Sequence, residues 1–430
     1  MLVDVFEEHL AEAAFLWSQW ERALVAPDFT LDEASSLEER LLAHLDGLVV
    51  AGVPAVEFLI PRLHESEEPG EVFAAAWALL SLTPPVVLEA VEERSGQVPS
   101  QVWAALHRAL ELAESAGVDA ALASWLNTAE PELRVLALEV LAFRGSAPMS
   151  GVVELLGDSD GLVTAAALRA LRPSARMPPP KALGVLLGDS RPEVRRSAIE
   201  AGLVFGLREA WTANGVDAVT EVGFVRKQAW VLQALVGEDD ALERLVAFTK
   251  DAAASADALW ALGFSGLRSA ADACLRAMAG PPLVARLAGE SFSAITGLKL
   301  KETYVLPEEE PDDALPPLEE DDLDADLSLR PEDALPRPAP EEVARWWQAV
   351  RKDFAPGSRF LGGQPLTGER LLDALTIGPM RRRHVHAMEL MLRTQGAQSV
   401  LVRAFSSKQR AALARASAIR QRLPPWAFGV

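Results

Sequence analysis

The sequence predicts an all-α protein: an α-solenoid of paired helices with a small C-terminal helical domain behind it. Three observations predict it. First, apolar pairs recur at a fixed period: Val72/Ala76, Val102/Leu106, Leu133/Ala137, Val163/Ala167, Val194/Ala198 and Val225/Ala229 follow one another at 30 or 31 residues, and a weaker copy lies near Ala256. Each copy carries the i, i+4, i+7 or i+8 stripe of an amphipathic helix. Second, most copies run into a helix-ending residue such as Gly145, Pro173, Gly206, Gly237 or Gly263. Third, half of the 430 residues are hydrophobic, Ala and Leu dominate, and Tyr occurs once. That composition disfavours an extensive sheet.

The elements follow in chain order. Residues 1–65 read as an N-terminal helical cap in which Trp17 and Trp20 close the end of the repeat core. Residues 66–300 read as about seven helix pairs, because a second apolar segment follows each stripe, as in Gly151–Leu156 and Lys181–Leu187. Within the clearest copy, Leu187–Ile199, Ser190 and Glu193 have capping-box spacing, and Pro192 sits in the first turn. Residues 301–342 alternate prolines with acids, Pro307-Glu308-Glu309-Glu310-Pro311-Asp312-Asp313 onward, and read as an extended, disordered linker. Residues 343–430 read as a basic helical domain. The net charge of −21 divides into about −19 over 1–306, −13 over 307–342 and +11 over 343–430.

The pattern Asp189-x-x-Pro192-x-Val194-Arg195-x-x-Ala198 resembles HEAT and HEAT-like repeats, with partial matches at Glu130–Arg134 and Phe224–Ala229. That resemblance covers roughly residues 70–265. Leu37–Leu48 with Ala51-Gly52, Phe292–Leu298, Trp346-Trp347 and Gly357–Leu366 are similar to a bacterial family of HEAT-repeat proteins found with type VI secretion gene clusters. The resemblance implies an accessory role and no particular chemistry. It also implies that second helices, around 118–126, 152–156, 182–187 and 242–248, line a concave surface.

Catalytic signatures are absent from the sequence. Six histidines show no metal-ligand spacing, and His384 and His386 point about 200° apart on a helix. The paired His-Glu motifs of HEAT-like hydroxylases are missing. Cys274 sits among small apolar residues and reads as a buried hydrophobe; Gly362-Gly363 reads as a turn. An acidic solenoid argues against the groove of a DNA-gripping repeat protein, such as a base-excising one, so nucleic acid is not the expected partner. Neither a signal peptide nor a membrane span is evident, so a cytoplasmic protein without a cofactor is expected.

The expected function is therefore non-catalytic: an adaptor that binds a protein on its concave face, with a HEAT-like enzyme or DNA-binding protein as the alternatives. Trp125, ending a second helix, is one candidate contact. Trp346 and Trp347 are others, because adjacent residues cannot both enter one narrow stripe. Arg381, Arg382 and Arg383 complete the set, although an internal acid would explain them as well. The opposite charges further predict that the C-terminal domain docks reversibly on the linker or solenoid and loosens in salt.

Overall fold

The computed structural model describes residues 3–171, 179–236, 239–307, 330–420 and 423. Most of the acidic linker, 308–329, and the last residues of the C-terminal segment lie outside the described residues.

The chain starts with the helices α1 (Val3–Ala23), α2 (Leu31–Val50) and α3 (Val53–Glu65). A reciprocal capping box starts α2: the Thr30 N–H donates to the Glu33 carboxylate at 2.7 Å, and the Glu33 N–H donates to Thr30 Oγ1. Beyond this cap two layers of helices alternate. The first helices of the repeats are α4 (Pro69–Leu82), α6 (Ser100–Leu112), α8 (Pro131–Arg144), α10 (Gly161–Ala170), α12 (Pro192–Val204), α14 (Gly223–Val236), α16 (Ser255–Leu262) and α18 (Pro282–Thr296). The second helices are α5 (Pro84–Arg94), α7 (Val118–Trp125), α9 (Met149–Glu154), α11 (Lys181–Leu186), α13 (Arg208–Thr220), α15 (Asp239–Phe248) and α17 (Arg268–Ala277). Each periodic apolar pair falls on a first helix, so the fold is the expected solenoid of HEAT-like pairs.

Local chemistry sets the helix starts. Proline occupies the first turn of α4, α8, α12 and α18, where a missing N–H costs nothing. Asp160 caps α10 by accepting from the N–H groups of Leu162 and Val163. The capping box expected of Ser190 and Glu193 does not form, because Arg191 stands at the cap position. Asp189 shapes that turn instead. It accepts from the Arg191 N–H and from two nitrogens of the Arg191 guanidinium, and those bonds hold its carboxyl down at about 2.

The remaining helices are α19 (Pro340–Val350), α20 (Gly368–Thr376), α21 (Met380–Arg393) and α22 (Ser406–Ser417). A two-stranded hairpin, β1 (Phe360–Leu361) with β2 (Gln364–Pro365), separates α19 from α20. This segment does not stand apart from the solenoid. Trp20, Trp230, Trp260, Trp347 and Phe405 belong to one continuous apolar core. The flanks of the acidic linker are also held together: Val305 bridges Pro338, and the Leu306 N–H donates to the Arg337 carbonyl at 2.9 Å. The linker thus leaves and rejoins the fold at one place.

Candidate functional site

Helix α21 lies along the face made by the first helices. It packs on α12; His384 stacks on Trp260 of α16 with ring centres 6.0 Å apart, and Arg381 pairs with Glu290 of α18 at 3.3 Å. At its start the Met380 and Arg381 N–H groups donate to the Phe29 and Ala26 carbonyls, in the loop between α1 and α2. One helix start therefore touches both ends of the row, so the row curves round and α21 occupies its inside. The second helices form the outer layer. This corrects the expectation that residues 118–126, 152–156, 182–187 and 242–248 line the concave surface.

The rest of the segment closes the ring against the N-terminal cap. Buried Glu38 of α2 accepts from the Ser406 N–H at 2.8 and 3.0 Å and from the Ser406 hydroxyl at 2.8 Å, at the start of α22. Burial pushes the Glu38 carboxyl upward against those bonds. Trp20 packs on Phe405 at 5.4 Å, and Arg108 of α6 joins Glu21, Glu111 and the Arg403 carbonyl. Arg403, Lys408 and Arg410 reach Glu21, Glu114 and Asp32. Much of the basic segment's charge is thus met within the chain.

A second cluster ties the hairpin to α21. The Arg359 guanidinium donates to the carbonyls of Leu235, Phe264 and Ser265, each at 2.9 Å, at the ends of α14 and α16. Glu389 lies 3.1 Å from Arg359 and 2.6 Å from Arg393, and both guanidinium groups hold its carboxyl below the usual range although burial opposes them. His386, on the same helix, is buried beside Arg382 and pushed down to about 3, so its ring is neutral at pH 7.

The sequence-predicted contacts divide as follows. Arg381, Arg382 and Arg383 are 9%, 3% and 0% exposed, so they present no free basic surface. Arg381 meets Glu290 and Glu332; Arg383 donates to the Leu375 carbonyl, and burial takes it to about 10. The internal-acid explanation of the run holds for Arg381. Trp125 is buried, and its indole N–H donates to Glu92 at 2.6 Å, so it is a packing residue in the outer layer. Trp347 is buried and donates to Asp272 at 2.8 Å, whereas Trp346 is half-buried and stacks on Trp347 with its edge toward Phe292. The six residues do not converge on one surface.

Two of the cavities beside α21 bear on the candidate site. One, about 360 Å³, lies between α6, α8, α10 and α12 and the outward side of α21, lined by Phe143, Leu168, Val204, Met388 and Met391. The other, about 560 Å³, lies between α18, α20 and the start of α21, and reaches Glu290, Ser293, Arg382 and His386. Of this second group, sequence reasoning names Arg382 as a candidate contact and misses Glu290, Ser293 and His386. A further signal is that Phe292–Leu298 and Gly357–Leu366, both singled out in the sequence, supply part of its wall. Among the described residues no three His, Cys, Asp or Glu side chains are placed to hold a metal ion. Cys274 is buried and pushed up to about 12, so its thiol stays protonated at neutral pH.

No protein-family model matches the chain, and no curated protein matches it. Among solved structures it is similar to the X-ray structure of Escherichia coli YibA, at 16% identity over 58% of this chain and 96% of that one, with a TM-score of 0.38. Human deoxyhypusine hydroxylase in complex with glycerol is similar at 15% identity over 67% and 97%, with a TM-score of 0.25. An engineered protein shares 20% identity over 67% and 93%, with a TM-score of 0.28. These likenesses carry no functional argument. Among the described residues, no single helix is long and apolar enough to cross a membrane.

Proposed function

We propose that the chain is a non-catalytic protein-binding scaffold whose docking surface lies on the outside of the solenoid. One observation carries this reading. Its inner face is occupied by α21, while Val216, Val219, Val222 and Phe224, at the turn from α13 to α14, are 55%, 64%, 73% and 63% exposed. Four large apolar side chains exposed within nine positions cost solubility unless something covers them. The resemblance to the type VI secretion-associated family supplies the class of partner: a component of that machine, in the cytoplasm of a bacterium.

The test is site-specific photocrosslinking from positions 219 and 224 in the native cell, repeated in Val219→Asp and Phe224→Asp chains. A discrete protein adduct should form from both positions and be lost in the charged variants, with melting temperatures close to that of the parent. If the charged variants retain the complex, the docking surface lies elsewhere. An enzyme reading has less support, since buried Cys274 and neutral, buried His386 form no nucleophile–base pair.

A further inference from the structure

The cavity between α18, α20 and α21 is apolar over most of its wall and polar at one end. Leu298, Leu300, Leu335, Leu361 and Ile377 form the apolar part. At the polar end, four side chains hold buried atoms with no hydrogen-bond partner: all three guanidinium nitrogens of Arg382, Nδ1 of His386, Oγ of Ser293 and Oε1 of Glu290. Such groups are costly, about 1–3 kcal/mol each when neutral and more when charged, and are seldom left unmet. Arg382 lies over the Phe264 ring at 3.9 Å, and its nearest carboxylate oxygen, on Glu290, is 3.7 Å away, beyond hydrogen-bond reach. Arg381 Nε donates to the other Glu290 oxygen and also lies 3.3 Å from Oε1.

The unmet valences are lopsided. Arg382 alone offers up to about five N–H donors and Ser293 can add another, whereas the acceptors are Glu290 Oε1, already within ion-pair distance of Arg381 and Arg382, and at most one nitrogen of His386. A ligand that satisfies this end must mainly accept, and a planar carboxylate matches the guanidinium fork. The volume, about 560 Å³, falls in the range of small-molecule sites, and the leucine wall suits an apolar body. Lys299 and Arg370 add cationic groups to the lining, the latter paired with Asp373.

We infer that this cavity binds a small monocarboxylic acid with an apolar tail, its carboxylate at Arg382 and Ser293 and its tail along Leu298, Leu300 and Ile377. The inference is independent of the outer docking surface, which lies on α13 and α14.

Titration calorimetry with octanoate on the full chain tests it, with octanol and octylamine as controls of equal tail length. Octanoate should bind saturably, at least ten-fold more tightly than either control. Arg382→Met should weaken octanoate ten-fold or more and erase the preference over octanol. Because that variant touches a buried charge, Ile377→Trp supplies a second arm: Ile377 is 70% exposed at the mouth, so the substitution should block entry and leave the melting temperature unchanged. Equal binding of octanoate and octanol would overturn the carboxylate assignment. Octanoate binding untouched in Ile377→Trp would place the ligand elsewhere, and absence of binding to the parent chain would remove the site altogether.

Discussion

Buried ionisable side chains decide how this chain holds together, and His386 shows how. Desolvation, with Arg382 nearby, keeps its ring neutral down to about 3 against an ordinary value of 6.5; Glu389 opposes this only in part. As pH falls below about 6.5 the unfolded chain takes up a proton there and the folded chain does not. The unfolded state then binds more protons, so stability is whole above that pH and declines as pH drops, at about 1.4 kcal/mol per unit. A His386→Gln chain lacks this linkage. Its stability relative to the parent, from urea midpoints, should improve by about 2 kcal/mol between pH 7.5 and pH 5. A constant difference would mean that the imidazole already titrates normally in the fold. Arg359 makes the same point about legibility: Gly357–Leu366 was recognisable as a segment, but three carbonyl acceptors from two other helices could not be read from it.

Among elements, the hairpin is the part whose sequence logic is completed only by a distant helix. Gly362 and Gly363 read as a turn, and both adopt positive φ, +60° and +79°. Their N–H groups donate to Ala294 and Ile295 at 2.7 and 2.9 Å, satisfying carbonyls at the end of α18 that have no helical partner. A Cβ on Gly363 would lie 2.5 Å from the Thr296 carbonyl oxygen. Gly363→Ala should therefore cost about 2–4 kcal/mol, combining strain with a backbone clash. Gly357→Ala, at φ +71° in open space, should cost only about 1 kcal/mol. Thermal or urea unfolding separates the two, and equal losses would show that the hairpin does not seat on α18. The repeat helices, by contrast, were legible at the level of the stripe. Their boundaries were less so: α12 starts at Pro192 by way of an Asp189–Arg191 turn, a competing arrangement that spacing alone does not distinguish from a capping box.

For the whole molecule, the charge asymmetry predicts docking, and the contacts that hold the basic segment bear on how salt should affect it. The basic segment lies on the N-terminal cap and the solenoid through Phe405 on Trp20, buried Glu38 at Ser406 and Arg359 on the Leu235, Phe264 and Ser265 carbonyls, and exposed pairs such as Lys408–Glu114 and Arg410–Asp32 add to these. Salt screens exposed pairs far more than buried ones, and apolar contacts hardly at all. The radius of gyration from small-angle scattering should accordingly stay constant between 0.1 M and 1 M salt. An increase with salt would restore the reversible, electrostatic docking that the charge blocks alone suggested.

The sequence by itself determined the helical class, the 30–31-residue period, the helix pairs and the absence of familiar catalytic signatures, because each depends on neighbours a few residues away in the chain. Only the tertiary structure decided which layer is inner, what fills it, and that Arg381, Arg382 and Arg383 are interior. The physical reason is that an arginine run looks the same on a solvated helix face and in a solenoid's interior. What separates the two is whether carboxylates, carbonyls and rings from elements about 100–350 residues away converge on it, and here Glu290, Trp260 and the Ala26 carbonyl do.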